Sequence, residues 1–499
     1  MPFPTVKKTL IPVLALMLLG TGCNILDKDP LTTIAPANFF KNADDAEASI
    51  TAVYDVLQFT GAYGQDMNVV GEMPSDNCTT TNNDVNAMER IIWTPTTSQV
   101  NNVFRDMYIG INRANAVIKY VPGVDMPAER RDQILGEARF LRALFYFNLV
   151  RLYGGVSMRL EPVESNAQEV VSVARATPEQ VYAQIVDDLG QAENLVATSQ
   201  GTLNGTRVNK PTVNALQAKV YLTMRQWSDA ATAANKVITS NVASLMATPK
   251  ALYPPENKGE SIFEVQFAGT ADGGFLLPDL VLPAPPASYS FQKFNIPTLF
   301  RTGTSAQPTD LTSVVDTLND LRWKYVGTTD AGRDHVSYVD SKRSGNDRGP
   351  FVYKWTSTPV QPFNSADNYY LLRLADVYLM FAEASNEQNG PNADALGRLN
   401  SIRTRAGLPA LTLANLGTKA AFRNEVDKQR RLELAFEGER WFDLLRYARH
   451  NQAEANAHAV TALTIIQQQK GTADANFLLF PIPQSELNNN VNTQQNPGF

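Results

Sequence analysis

The chain has 499 residues, 43% hydrophobic and 19% charged, with a formal net charge of −6. Those values describe a globular protein with a substantial core, and they exclude a disordered polyelectrolyte as well as the basic surface that a nucleic-acid partner requires. Length alone leaves two or three ordinary domains and one large helical architecture equally open.

At the N-terminus, Lys7 and Lys8 precede the apolar run LIPVLALMLL, and small residues then lead to a cysteine in GTGC. A run of that length spans about half of a bilayer core as a helix, and Pro12 interrupts it, so residues 1–22 read as a secretion signal rather than a permanent span. Cys23 stands where a bacterial lipoprotein signal is cleaved and the thiol lipidated. Gly20 occupies the place three before it, where leucine or a similar residue is usual, and Leu19 lies one further back. The polar, proline-punctuated NILDKDPLTTIAP reads as a tether, which makes the chain anchored to a membrane rather than spanning it. With Cys23 lipidated, Cys78 has no disulfide partner, and such sparing use of thiols suits an oxidising exterior.

Along residues 23–499, expected as a single domain, helix patterns recur in pairs between irregular segments. The first irregular segment, 60–100, contains GAYGQDMNVVGEMPSDNCTTTNND and Trp93. Residues 130–155 follow with Ile134, Ala138, Leu141, Phe145 and Leu149 at helical spacing and a stop at Gly154 and Gly155. In 211–240, one helix packs through Ala215, Ala218 and Leu222, turns near Gln226, and a second runs through Ala230, Ala234 and Ile238, a small-residue pattern like a tetratricopeptide repeat. The second irregular segment, 243–368, has eight prolines between 254 and 308, which excludes continuous helix there. EVQFAGTADGGFLLP alternates briefly like a strand. A third helical pair is read over 369–407, from YYLLRLADVYLMFAEASNEQNG onward, and a fourth over 422–450, split at Gly438. In the last, Glu433, Glu437 and Asp443 are spaced to pair with Arg430, Arg440 and Arg446 at separations of three. The fold class expected is mainly α: a degenerate scaffold of tetratricopeptide-like pairs carrying a large irregular, loop-rich half.

Three histidines without His-Glu-x-x-His, no cysteine cluster, no Walker loop and no G-x-S-x-G elbow leave no expected metal, cofactor or covalent chemistry. Paired carboxylates can be nominated anywhere among 50 acidic residues, so Asp76 in PSDN and Asp367 in SADN carry little weight as a glycosidase pair. Sugar binding fits the irregular segments better. A sugar offers a flat C–H face and a hydroxyl rim, which want aromatic platforms with amide or carboxylate groups beside them. The ligand-binding candidates are Asp76, Asn77, Trp93, Tyr289, Phe291 and Trp323; Phe294, Tyr325, Tyr353 and Trp355 belong to the same irregular region.

The chain resembles the SusD/RagB family of outer-membrane nutrient-binding lipoproteins. The resemblance is carried by GTGC with NILDKDP, VFRDMYIGINRANAVI, GEARFLRALFYFNLVRLYGGV, YYLLRLADVYLMFAEASNE, RNEVDKQRRLELAFEGERWFDLLRYAR and FLLFPIPQSELNNNVNTQQNPGF, in that order. It implies a SusD-like fold with four helical pairs against a ligand-binding half, at the cell outer membrane. It also implies capture of an oligosaccharide or similar nutrient, delivery to a TonB-dependent (SusC-like) transporter, and no catalysis. The alternatives are a tetratricopeptide-type scaffold that binds only protein and a carboxylate-dependent glycoside hydrolase.

Overall fold

Side-chain caps fix several of the helix starts. Asn42 and Asp45 form a reciprocal capping box at α1 (Ala43–Asp55), and Thr177 with Gln180 does the same at α5 (Pro178–Leu195). Asn209, Asn392 and Thr418 cap α6 (Lys210–Thr223), α9 (Ala393–Arg405) and α10 (Lys419–Glu433). The long α4 (Ala128–Tyr153) stops at Gly154, whose φ of +73° suits glycine. These elements come from a computed structural model of the chain. It describes residues 39–77, 85–165, 167–252, 256–269, 274–278, 319–322, 336–337, 351–352, 354–355, 361, 363–449 and 457–499. Residues 1–22, Cys23, Cys78, Tyr289, Phe291, Phe294, Trp323, Tyr325 and Tyr353 lie outside them.

The architecture is mostly helical. Neighbours in the chain pack on one another: α3 (Ser98–Tyr120) on α4, α4 on α5, α5 on α6, α6 on α7 (Trp227–Ser240), α7 on α8 (Leu374–Asn389), and α8 on α9 and α10. From Phe140 to Tyr153 every α4 side chain is buried, as a helix gripped by neighbours on several sides demands. Ala215, Ala218, Ala230 and Ala234 are fully buried, and their small size lets α6 and α7 approach closely. Between α7 and α8 the chain leaves the stack and contributes β1 (Ser261–Val265), which pairs antiparallel with β2 (Tyr369–Arg373). A two-residue pairing, Val336–Ser337 with Phe351–Val352, also lies in this insertion. After α10, a short break leads to α11 (Arg440–Ala448), which packs on α2 (Asp66–Glu72) and α12 (Ala462–Lys470).

Two local expectations are corrected. Tyr369–Arg373, read as the start of a helix, is a fully buried strand; an unbroken apolar run has no period to tell the two apart, and the helix begins only at Leu374. The predicted pairs at a separation of three also mostly fail. α10 ends at Glu433, and Phe436 (φ +65°) and Gly438 (φ +73°) turn the chain out of helix, so only Asp443 and Arg446 meet that way, at 3.0 Å.

The other charges go inward. Arg373 donates from Nε to Glu437 at 2.7 Å and from Nη1 to Glu433 at 2.8 Å and Glu260 at 3.1 Å. Arg405 joins Glu260 at 2.5 Å and also Glu433, Arg322 joins Asp320 at 2.7 Å and Glu433 at 3.3 Å, and Lys354 joins Glu437 at 2.5 Å. Four cations and four carboxylates thus balance in the interior, as burial of charge requires. Asp320, Arg322 and Lys354 belong to the insertion, so this network fastens it to α9 and α10. Trp355 helps: fully buried, it packs edge-on to Phe275 and parallel to Tyr369.

Candidate functional site

Asp76, Asn77 and Trp93, three of the residues singled out by sequence, are interior. Asp76 receives Arg440 Nε at 2.8 Å and Nη2 at 3.1 Å, with Arg431 Nη1 at 3.2 Å. Burial would push its carboxyl up, but the two arginines outweigh burial and hold it below the usual carboxylate range. Asn77 accepts from Arg431 Nε at 2.9 Å and donates to Glu72 at 3.1 Å. Burial pushes Glu72 itself up to about 8. Trp93 is 2% exposed, wedged between Trp441 and Phe480. The contacts these three make are structural: they lock the segment before α3 onto α10, α11 and the C-terminal segment of the chain. Asp367 is buried as well. Tyr289, Phe291 and Trp323 fall outside the described residues.

An open concave surface among the described residues is built elsewhere, where the end of α1 meets α3. After α1 and one 3-10 turn, Val56–Gln58, Phe59 adopts an extended backbone and Thr60–Gly64 forms a wide turn. The turn lies directly on α3. A Cβ added to Gly61 would sit 2.2 Å from the carbonyl oxygen of Asn102, so only glycine fits, and its N–H donates to Asp106 Oδ2 at 2.9 Å. The insertion closes over the same turn: Leu276 N–H donates to Gly64 O at 3.1 Å, and Gln58 Nε2 to Gln266 O at 2.7 Å.

Two neighbouring hollows result. The smaller, about 310 Å³, is lined by Asp55, Gln58, Phe59, Thr60, Arg105, Asp106, Gly274 and Leu276. Phe59 is half-buried, with the Arg113 guanidinium 5.4 Å from its ring centroid, and Arg113 Nη1 is 2.9 Å from Asp55. The larger, about 670 Å³, runs along α3 past Asn101, Arg105, Tyr108 and Asn112 toward the 159–163 segment and the short helix Gln484–Asn489. Arg105 lines both hollows. Its Nε is held by Asp106 Oδ1 at 2.7 Å while its side chain stays 60% exposed. Asp66, below Asn102, is pushed up to about 6 by burial, which outweighs the hydrogen bonds from Asn102 and Gln65. Among the described residues no group of three or more His, Cys, Asp or Glu is placed to hold a metal ion, and no helix is long and apolar enough to cross a membrane.

Sequence reasoning missed these residues because they lie on a regular helix and at a helix end. Asn101, Arg105, Tyr108 and Asn112 follow steps of four, three and four, which reads as an ordinary solvated face. The one available signal was Phe59 beside GAYG, an aromatic against a glycine-rich turn.

Comparison with known proteins gives consistent matches. The sequence model of the SusD family matches residues 297–499, and that described as "Starch-binding associating with outer membrane" matches residues 27–222. The chain is 25% identical over 460 residues to SusD-like protein P25 of Formosa agariphila, covering 85% of this chain and 86% of that protein. Among solved structures it is similar to a laminarin-binding SusD-like protein, with 26% identity, a TM-score of 0.71 and coverage of 92% of this chain and 100% of the other. A SusD superfamily protein from Parabacteroides distasonis matches at 25% identity and a TM-score of 0.72, over 91% of this chain and 99% of the other.

Proposed function

The chain belongs to the SusD/RagB family, and from that premise we propose that it is a lipid-anchored outer-membrane protein that binds an oligosaccharide and passes it to a TonB-dependent transporter. The observation that carries the binding step is the pair of hollows sharing Arg105. They combine apolar surface from Phe59, Tyr108 and Ile109 with the amide, hydroxyl and guanidinium groups of Gln58, Thr60, Asn112 and Arg105. That mixture suits a sugar ring and its hydroxyl rim. The laminarin-binding protein of similar fold supports the ligand class. The family model described by outer-membrane association supports the location, and the GTGC signal ending at Cys23 supports the anchor.

Binding without catalysis is the reading the hollow favours. Hydrolysis by a carboxylate pair needs one carboxyl positioned as a proton donor. The two carboxylates of the smaller hollow are instead engaged by arginines, Asp55 by Arg113 and Asp106 by Arg105.

Phe59→Ala tests the site. Calorimetric titration of the purified protein against a panel of oligosaccharides should show at least about a tenfold loss of affinity, the scale of a removed aromatic contact, with only a small drop in melting temperature. A wild-type protein that co-purifies with a barrel transporter yet binds no glycan would favour the protein-only scaffold. For the anchor, Cys23→Ser is expected to move the protein from the membrane to the soluble fraction; unchanged partition would remove the lipid from the proposal.

A further inference from the structure

The larger hollow carries a charge opposite to that of the protein as a whole. The chain has a net charge of −6, yet this hollow is lined by Arg105, Arg113 and Arg159 against the single acid Glu486. Each of the four is held differently. Arg113 is paired with Asp55, which lines the smaller hollow and not this one. Arg159 donates through Nη1 to Val170 O at 2.9 Å and through Nη2 to Val171 O, and no carboxylate among the described residues lies within ion-pair distance of it. Its position is therefore fixed by uncharged acceptors, and its charge stays uncompensated at close range. Glu486 accepts from Asn490 Nδ2 at 2.7 Å.

Arg105 is the group best placed to use this field. Asp106 is locked by Gly61 N–H at one oxygen and by Arg105 Nε at the other, so it steers the guanidinium. Neither Nη of Arg105 has an acceptor among the described residues, and the side chain is 60% exposed. A planar fork whose Nη1/Nη2 edge is free, on the wall between two hollows, matches a carboxylate or sulfate in a bidentate geometry that a neutral hydroxyl does not need. Asn112 adds a neutral donor: its Oδ1 accepts from Val163 N–H at 2.7 Å, while its Nδ2 has no acceptor among the described residues. Tyr108 and Ile109 supply the apolar surface beside it for the ring that bears the anion.

We infer that the larger hollow takes the anionic unit of an acidic glycan, a uronate carboxylate or a sulfate ester, with Arg105 as its principal contact and the neighbouring units lying along the smaller hollow. This rests on the glycan-binding reading above and narrows it to charged chains.

The test is calorimetric titration of the mature protein with three probes of similar length: oligogalacturonate for the carboxylate, carrageenan oligosaccharides for the sulfate, and laminari-oligosaccharides as the neutral control. One acidic probe should bind at least about tenfold more tightly than the neutral one in low salt, and the gap should narrow as salt screens the charge. Arg105→Gln should reduce the acidic affinity by about tenfold and the neutral affinity by much less, with only a small drop in melting temperature and with Arg105→Lys recovering part of the acidic loss. The stronger of the two acidic probes identifies the anion. Equal affinity for acidic and neutral probes, or Arg105→Gln weakening both alike or neither, would overturn the inference. If the neutral probe binds in a Phe59-dependent way and no acidic probe binds better, glycan binding stands and only the charge selectivity falls. If no probe of either kind binds, both readings fall.

Discussion

Arg373→Met is expected to destabilise the fold by about 3–5 kcal/mol, the range for removing one member of a buried ion network. Methionine fills much of the same volume, so the loss comes from the charges left behind. Arg373 touches Glu260, Glu433 and Glu437 at once, and all three are buried. The pH dependence separates this cause from simple loss of packing. In the wild type, burial pushes Glu437 up, but Arg373 and Lys354 together hold it below its usual value of 4.5. Glu433 is likewise held low against burial, by Arg405, Arg373 and Arg322. Their contribution is therefore present above about pH 4.5 and fades as the pH falls through the folded values. Without Arg373, burial dominates at Glu437 and its folded pKa rises above the unfolded one, so the variant loses stability as pH rises instead. Chemical denaturation should show a deficit that is larger at about pH 8 than at about pH 5.5. A deficit independent of pH would make Arg373 a packing residue. The same network holds Arg322 and Lys354 of the insertion, so proteolysis next to those two residues should accelerate in the variant before the helical body unfolds.

Asp76→Ala is expected to cost a similar amount, about 3 kcal/mol or more, while leaving glycan affinity unchanged in the protein that remains folded. Its carboxylate neutralises Arg440 and Arg431 in a buried setting, and those arginines belong to α10 and α11 on the far side of the joint. A melting-temperature shift paired with a binding titration decides the matter. Intact stability with lost binding would return Asp76 to the ligand site.

These two variants mark the boundary of what pattern reading reaches. Asp76, Asn77 and Trp93 stand out in sequence as polar and aromatic residues in an irregular stretch, a description that suits a ligand contact and a structural latch equally. Only the three-dimensional partners, Arg431, Arg440, Trp441 and Phe480, all more than 300 residues away, separate the two. Phe59 and Arg105 present the converse case. Each lies on or beside a regular helix, and neither is conspicuous until the turn at Gly61 and the insertion at Leu276 close around them.

Periodicity, caps and breakers by themselves determined the helical body. Helices bury stripes at a local spacing, and their ends are closed by residues three or four positions away, so the information sits within each segment. The helical reading of α4, the turn at Gln226 and the stop at Gly154 were all legible for that reason. The destination of the charges and the strand at Tyr369 were decided by tertiary structure alone. A buried carboxylate must find a cation wherever the fold brings one, and a buried apolar run takes the shape of the edge it meets. Neither condition is written in the neighbouring residues. The binding hollows belong to the same class, since a concave surface exists only once separate stretches of chain have been brought together.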